Sequence, residues 1–263
     1  MTHVTEIIET VETVETDAGP ARVTWHRAAK PGTTGGTGTT GTAGTASTSG
    51  TAGTTSGSSG SSGPGGAGGP VGAAQQERLV LAVSHGAGGG IEARDLRALA
   101  AELPAHGVTV ALVEQPWRVA GKKLAPAPKT LDAGWRGLWP ALTGPGLPVV
   151  SGGRSAGARV ACRTATELGA HAVLALSFPL HPPGRPEKSR AGELLGTGVP
   201  TLVVQGGNDP FGRPEEFPQG SYELVEVEYG DHGFAVPKRA PVDQDQALAV
   251  VTDGVLKWLL SLG

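Results

Sequence analysis

The sequence predicts an α/β fold, with a mainly parallel central sheet and helices on both of its faces. Short apolar runs that suit buried strands alternate with longer segments of helical periodicity along the 263 residues, which is the pattern of βαβ units. Strands in the middle of the chain are apolar throughout, as expected where both faces of a parallel sheet are covered. Residues 177–200, between two predicted strands, are too few for a lid domain, so we expect little or no lid.

One segment differs in composition from the rest of this fold. Residues 31–74 consist of Gly, Thr, Ser, Ala, Pro and a single Val, without a charged or aromatic side chain. Such a segment cannot bury enough apolar surface to offset the entropy of ordering its backbone, so it is predicted to be a disordered insertion. Residues 1–30 are predicted to be an N-terminal strand region of the same domain, and residues 75–263 its α/β core.

The predicted strands differ in their exposure. The first, Ala21 to His26, alternates between apolar and polar residues and should have one exposed face. The next, Arg78 to Ser84, is largely apolar; if the two pair antiparallel, the insertion joins neighbouring strands. Loops of that length are tolerated because closure entropy grows only logarithmically with length. The other predicted strands lie at residues 108–113, 147–150, 172–176, 201–205 and 222–227.

Four helices are predicted from apolar residues that recur at helical spacing. Residues 91–105 place Leu96, Leu99, Ala100 and Leu103 on one face, and residues 130–142 place Trp135, Leu138 and Trp139 inward. A third helix, residues 155–168, follows a glycine-rich turn. The last, residues 242–260, is amphipathic and ends the chain. Between the strands at 172–176 and 201–205 we expect at most one short helix, around Glu187 to Leu195.

The most informative motif is Gly153-Arg154-Ser155-Ala156-Gly157, which lies between a predicted buried strand and a predicted helix. A serine on such a sharp strand-to-helix turn presents its hydroxyl at the end of the sheet. The two glycines lie where the strand and the helix come close together, so that side chains there would clash. In this context the motif predicts that Ser155 is a nucleophile.

A serine hydroxyl becomes a good nucleophile only when a base takes its proton and an acid orients that base. Folds of this kind place the three residues in the order Ser, Asp or Glu, His. Asp209 follows the predicted strand at 201–205, and His232 follows the strand at 222–227. Both therefore lie at carboxyl ends of strands, the edge where open α/β sheets place their sites. We predict that Ser155, Asp209 and His232 meet there.

Other histidines and acids compete for these roles. His181 lies in a proline-rich loop that can approach the site, but no strand leads into it. Asp231 is too close in sequence to His232 to orient its ring easily. Asp243 and Asp245 resemble residues of a first helical turn.

The anion formed on attack at a carbonyl needs backbone donors. The N–H of Ala156, directly after the nucleophile, is one candidate. The loop after the strand at 78–84 is the expected source of the second; we favour the N–H of Ala87, with Gly88 as the alternative. Gly86 and Gly88 let the backbone approach a substrate, and Arg154 either packs beneath the turn or reaches the substrate.

Basic residues of the loop after residue 176 are candidates for substrate recognition. His181, with Arg185 and Lys188, can recognise an acidic group on a substrate, although solvated positions in a proline-stiffened loop are the simpler interpretation.

The same glycine-rich loop permits a competing interpretation, because such loops also bind phosphate at a helix N-terminus. The dinucleotide pattern Gly-x-Gly-x-x-Gly fails here, since Ile91 stands where the third glycine belongs. The Lys-Ser/Thr pair of a Walker loop is also missing. A nucleotide-binding fold is therefore the weaker hypothesis.

Five motifs together resemble a known family. They are Ser84–Gly90, Gly152–Arg159, Phe178–Lys188, Gln205–Gly212 and Gly230–Lys238. In this order they are similar to an α/β-hydrolase-like family that includes a testis-expressed vertebrate protein, a hydrolase-like subunit of a histone-acetyltransferase complex and bacterial dienelactone-hydrolase-like proteins. The resemblance covers Arg78 to Gly263 and implies an α/β-hydrolase fold with a Ser155–Asp209–His232 triad. Ala158, where Gly is frequent in the family, is a mild departure that leaves the turn intact.

Composition restricts the partners. A net charge of −3 and a pI near 6.2 give no basic footprint for nucleic acid. No apolar run is long enough to span a membrane, and the first residues lack a basic segment followed by an apolar core, so no secretory signal is expected from them. Cys162, the only cysteine, fits a cytoplasmic protein and is expected to be a small core residue. The sequence leaves the oligomeric state open.

The functional expectation is a serine hydrolase that cleaves a small acyl ester, thioester or lactone through an acyl-enzyme, without a metal or organic cofactor. The competing hypothesis is a non-catalytic protein-interaction module on the same scaffold.

Overall fold

The computed structural model describes residues 6–29 and 76–262, and within these ranges the chain forms one eight-stranded sheet flanked by helices. The predicted disorder of residues 31–74 falls outside them. The elements in chain order are β1 (Ile7–Val14), β2 (Ala21–Ala28), β3 (Leu79–Ser84), α1 (Arg94–Glu102), β4 (Val108–Glu114), α2 (Pro116–Val119), α3 (Pro128–Thr143), β5 (Val149–Arg154), α4 (Ala156–Leu168), β6 (Ala172–Leu176), α5 (Ala191–Leu195), β7 (Thr201–Gly206), β8 (Glu223–Val227) and α6 (Gln244–Ser261).

The sheet has the order β1-β2-β4-β3-β5-β6-β7-β8. Strands β3 to β8 are parallel; β2 runs antiparallel to β4, and β1 runs antiparallel to β2 at the edge of the sheet. All six parallel strands therefore end at one edge, which places the loops after β3, β5, β7 and β8 together. The predicted α/β-hydrolase fold is confirmed at this level.

The first two predicted strands do not pair with each other, which was the condition for the insertion to join neighbouring strands. β2 pairs with β4, with Val23 opposite Val113, and not with β3. Both edges of β3 are already occupied, by β4 on one side and β5 on the other. The free edge of β4 is what remains for β2. The segment between β2 and β3 therefore connects strands that are separated in the sheet by β4.

Side-chain alternation along the parallel strands divides the core into two layers. Along β3, Val80 and Ala82 belong to one layer and Leu81 and Val83 to the other. The first layer packs against α3 and α4 and includes Trp135, which is fully buried; the second packs against α1 and α6. This is why the central strands are apolar on both faces.

Two predicted helices have different bounds from those expected. α1 ends at Glu102, and a 3₁₀ turn, Leu103–His106, continues it, because Pro104 has no N–H to extend the helical hydrogen bonds. Between β6 and β7 the chain forms a 3₁₀ turn, Pro186–Lys188, and the five-residue α5 instead of one helix. Nothing in this segment is long enough to cover the carboxyl edge of the sheet as a lid.

Within residues 6–29 and 76–262, no helix is both long enough and apolar enough to cross a membrane.

Candidate active site

Ser155 lies on the turn between β5 and α4 in a conformation that non-glycine residues rarely adopt, with φ 54° and ψ −109°. The glycines around it are required by close contacts. A Cβ on Gly153 would lie 2.6 Å from the carbonyl carbon of Gly157, and one on Gly157 would lie 2.5 Å from Ser84 Oγ. The tight turn therefore depends on both glycines.

The predicted residues Ser155, His232 and Asp209 lie within hydrogen-bonding distance of one another. His232 Nε2 is 2.9 Å from Ser155 Oγ, and His232 Nδ1 is 2.7 Å from Asp209 Oδ2. Asp209 comes from the turn after β7 and His232 from the loop after β8. The carboxylate of Asp209 is fully buried, while the imidazole of His232 is partly exposed to the cleft.

The buried carboxylate of Asp209 accepts two further hydrogen bonds. Its Oδ1 accepts from the N–H of Phe211 at 2.8 Å, and its Oδ2 accepts from Gln205 Nε2, also at 2.8 Å. The same Gln205 amide donates to Gly212 O at 2.7 Å, which fixes the turn that carries Asp209. Three donors therefore compensate the burial of this charge.

The loop after β3 orients a backbone N–H towards the cleft. His85 Nε2 accepts a hydrogen bond from the N–H of Gln115 at 3.2 Å, so that His85 Nδ1 carries the proton and donates to Gly86 O at 2.9 Å. Burial lowers the pKa of His85, which keeps the ring neutral. Because N–H and C=O of a trans peptide point in opposite directions, the N–H of Ala87 points away from His85. Both Ala87 and Ala156 line the same cleft as Ser155.

A family model described as an alpha/beta hydrolase domain matches residues 75–260. The chain belongs to this α/β-hydrolase domain family. The prediction of a hydrolase is confirmed at that level, whereas the narrower kinship with the testis-expressed and acetyltransferase-complex proteins is not.

Solved structures share the fold of this hydrolase domain. A lidless α/β serine hydrolase from Xanthomonas campestris has a TM-score of 0.61 at 15% identity, and the match covers 98% of each chain. A dienelactone hydrolase from Anabaena variabilis has a TM-score of 0.61 at 19% identity, covering 98% of this chain and 99% of the other. The protein Est1E from Butyrivibrio proteoclasticus reaches 0.58 at 14% identity, covering 96% and 98%. No curated protein matches the sequence.

The sequence left open whether Arg154 packs beneath the turn or reaches the substrate, and its position has features of both. It lines the cleft of the hydrolase domain, and its Nη2 donates to the backbone carbonyl of His232 at 2.7 Å. Its Nε lies 3.4 Å from Oδ2 of Asp95, which is fully buried on α1. Arg154 therefore holds the loop that presents the imidazole.

The cleft above Ser155 has a volume of about 490 Å³. Its predicted lining residues Gly86, Ala87, Gly88, Arg154, Ser155, Ala156 and His232 are all present; it is also lined by Arg159, Pro179, Arg190 and Phe211. Phe211 supports the imidazole, with ring centroids 4.2 Å apart. A cleft of this size suits a small substrate.

His181 is not among the residues that line this cleft, which corrects its assignment as a substrate-binding residue. Its Nε2 is 2.8 Å from Glu216, and its Nδ1 is 3.0 Å from Pro182 O. The Pro182 carbonyl and Glu216 raise the pKa of His181. The side chain is buried in the loop by these partners and serves to hold it together.

Sequence reasoning missed Gln205, Phe211, Arg159 and Arg190. Gln205 ends the predicted strand at 201–205, and a polar residue at the end of an otherwise apolar strand indicates a buried polar contact near the site. Arg159 lies one helical turn after Ser155 and so shares its face of the helix, which was also readable. Arg190 reaches the cleft from a loop whose path the sequence does not reveal.

Neither a metal site nor a cysteine nucleophile competes with Ser155 within the described residues. No three His, Cys, Asp or Glu side chains there are close enough to hold a metal ion. Cys162 is buried, which raises the pKa of its thiol to about 12, so it remains protonated at neutral pH and is not a rival nucleophile.

Proposed function

We propose that the protein is a serine hydrolase that cleaves a small acyl ester, thioester or lactone through an acyl-enzyme. The observation that carries the proposal is the unbroken series of hydrogen bonds from Ser155 Oγ through His232 to Asp209, with distances of 2.9 and 2.7 Å. An isolated serine would have no base to take its proton, whereas here the base lies within reach and is itself oriented.

In the proposed reaction Ser155 Oγ attacks the acyl carbonyl while His232 Nε2 takes its proton. Asp209 stabilises the imidazolium that results. The N–H groups of Ala87 and Ala156 donate to the oxyanion of the tetrahedral intermediate. Each such donor is typically worth about 10²- to 10³-fold in turnover.

When the intermediate collapses, His232 gives the proton to the leaving alcohol, thiol or lactone oxygen, and the acyl group remains on Ser155. Water then attacks the acyl-enzyme with His232 as the base, which releases the acid and restores the serine. Protein groups perform every step, and no metal or cofactor takes part.

Two narrower expectations from the sequence belong with this proposal. The motif Leu180-His181-Pro182-Pro183-Gly184 supports the closer kinship with the testis-expressed and acetyltransferase-complex proteins. The single cysteine supports a cytoplasmic location.

The direct test is labelling by a fluorophosphonate probe, together with hydrolysis of short 4-nitrophenyl esters and acyl thioesters. The wild type should be labelled and should hydrolyse at least one substrate. Ser155→Ala should not be labelled and should lose turnover by about 10⁶-fold. Cys162→Ala is the matched control, since it removes the only thiol, and it should still be labelled. Equal labelling of wild type and Ser155→Ala, or of neither, contradicts the proposal and favours the interaction-module hypothesis.

A further inference from the structure

The cleft above Ser155 is positively charged. Three arginines line it, Arg154, Arg159 and Arg190, and its lining contains no Asp or Glu. Arginine is the side chain that best matches a planar carboxylate, because its guanidinium donates two parallel hydrogen bonds. Whether the charge is available to a substrate depends on how each arginine is already bound.

Arg159 is committed to a neighbouring carboxylate. Its Nε and Nη2 donate to both oxygens of Glu193 at 2.7 and 2.6 Å. Glu193 also accepts from Arg163 Nη1 at 3.0 Å, and Arg163 in turn binds Asp132. Glu193 therefore directs its hydrogen bonds to two other guanidinium groups, and none of them goes to Arg190.

Arg154 is bound to the loop that carries His232. Its Nη2 donates to the His232 carbonyl at 2.7 Å, and its Nε lies 3.4 Å from Asp95 without forming a hydrogen bond. Its charge contributes to the potential of the cleft, while the bond from Nη2 holds the imidazole loop.

Arg190 is different. Its Nη1 donates to the carbonyl of Pro179 at 2.9 Å. Within residues 6–29 and 76–262 no carboxylate lies within 4.0 Å of it, and its Nε and Nη2 have no acceptor. The edge formed by Nε and Nη2, which can bind a carboxylate with two hydrogen bonds, therefore has no acceptor among the described residues, on a side chain that lines the cleft.

The surroundings of Arg190 increase its attraction for an anion. Partial burial and the neighbouring Arg159 lower the pKa of Arg190 and Glu193 raises it, with a net decrease, although a guanidinium remains charged at neutral pH. The same two influences make the free side chain costly, since it is partly desolvated and faces a like charge. A bound anion would relieve both.

We propose that Arg190 binds a carboxylate of the substrate, so that the preferred substrates are esters, thioesters or lactones that carry a free carboxylate near the reacting carbonyl. This inference rests on the proposed hydrolysis at Ser155 and adds the substrate class. It also differs from the expectation that His181, Arg185 and Lys188 recognise an acidic group. Of those three, none lines the cleft.

The test uses two ligands that differ only in charge. Monoethyl succinate carries a carboxylate, and ethyl succinamate carries an isosteric neutral amide; each has a single ester. Their binding to the full-length Ser155→Ala protein is measured by calorimetry, so the result does not depend on turnover. The charged ester should bind at least about tenfold more tightly than the amide, because only its carboxylate can form a charge-assisted pair with Arg190.

The variants locate the preference. Introduced into the Ser155→Ala protein, Arg190→Gln should remove most of this difference, whereas Arg190→Lys, which keeps the charge but not the two-point contact, should retain part of it. Arg185→Gln is the matched control, since it removes an exposed arginine of the same loop, and it should keep the full difference. Melting temperatures of all variants show whether the loop remains folded.

The kinetic arm repeats the comparison with the Ser155-containing enzyme, by measuring ethanol release. The ratio of kcat/KM for the charged over the neutral ester should fall at least about tenfold in Arg190→Gln, mainly through KM for the charged ester. A role of Arg190 that is only structural, through its bond to Pro179, would weaken both esters equally.

Three outcomes overturn the inference: equal binding of the two ligands or none of the acid, an equal loss of both in Arg190→Gln, or loss of the preference in Arg185→Gln. Selective binding of the acid without hydrolysis by the wild type has a different meaning. It supports the anion site and contradicts the proposed catalytic function, so the two failures are distinguishable.

Discussion

Two buried aspartates are linked to the loop that carries His232, Asp209 directly and Asp95 through Arg154, and their surroundings differ sharply. Both side chains are essentially inaccessible to solvent. Asp209 accepts hydrogen bonds from His232, Gln205 and the N–H of Phe211. Neither carboxylate oxygen of Asp95 has a partner that meets hydrogen-bond geometry, and its nearest cation is Arg154 Nε at 3.4 Å.

The difference shows that the fold supplies hydrogen-bond donors to the Asp209 carboxylate and not to the Asp95 carboxylate. A carboxylate that must stay ionised while an imidazolium forms beside it needs hydrogen bonds to its charged form. A buried carboxylate without them favours protonation, and burial indeed raises the pKa of Asp95, against the opposing effects of Arg154, of the N–H groups at the start of α1 and of Arg94. We infer that the charge of Asp209 is essential for function and that of Asp95 is not.

Among the variants that distinguish the two aspartates, the largest effect is expected from Asp209→Asn. A neutral amide cannot stabilise the imidazolium, and in either orientation its NH₂ group faces a donor, so kcat should fall by about 10⁴-fold. The measurement is kcat on the best ester from the substrate screen. Asp243→Asn is the matched control: Asp243 caps α6 by accepting from the N–H of Gln246 at 2.8 Å, and Asn caps a helix equally well. Comparable activity losses in both variants would contradict the special role of Asp209.

A smaller effect is expected from Gln205→Leu, which removes one donor from Asp209 without changing its charge. The Asp209 carboxylate then keeps two of its three donors and orients the imidazole less firmly, so kcat/KM should fall by about tenfold. The unpaired Gly212 carbonyl should also lower the free energy of unfolding by about 1 to 3 kcal/mol. A stability loss with an unchanged kcat/KM would show that Gln205 only supports the turn.

Gln205 also marks the limit of what the sequence predicts. The order of Ser155, Asp209 and His232 on strand ends was predictable, because parallel strands bring their carboxyl ends to one edge whatever fills the core. The partners of each group were not, because they depend on the path of individual loops. His181 and Arg190 belong to the same segment, yet one is held by Glu216 and the other lines the cleft.

The same distinction applies to the fold. Apolar runs predicted five of the six parallel strands, since burial on both sides requires an apolar strand. Alternating residues predicted β8, and helical spacing predicted the inward faces of α1 and α3. They did not predict that β2 pairs with β4, because Val23 and Trp25 would be buried equally well beside either neighbour. That pairing was decided by which edge the crossover connections left free.

The smallest catalytic effect is expected from Asp95→Asn, which should leave kcat/KM within about threefold because burial disfavours the charged form of Asp95 and its link to His232 runs only through Arg154. Stability is the sharper measurement. A carboxyl whose pKa is raised by folding binds more protons in the native state than in the unfolded chain, so wild-type stability should decline as pH rises above the ordinary aspartate value of 3.8 and through the raised one. Asp95→Asn lacks this titration. Its free energy of unfolding, measured with urea across that range, should therefore rise relative to that of the wild type as pH increases. A constant difference between the two proteins, or one that grows in favour of the wild type, would mean that Asp95 is stabilised as an anion by Arg154 and that the two aspartates are alike after all.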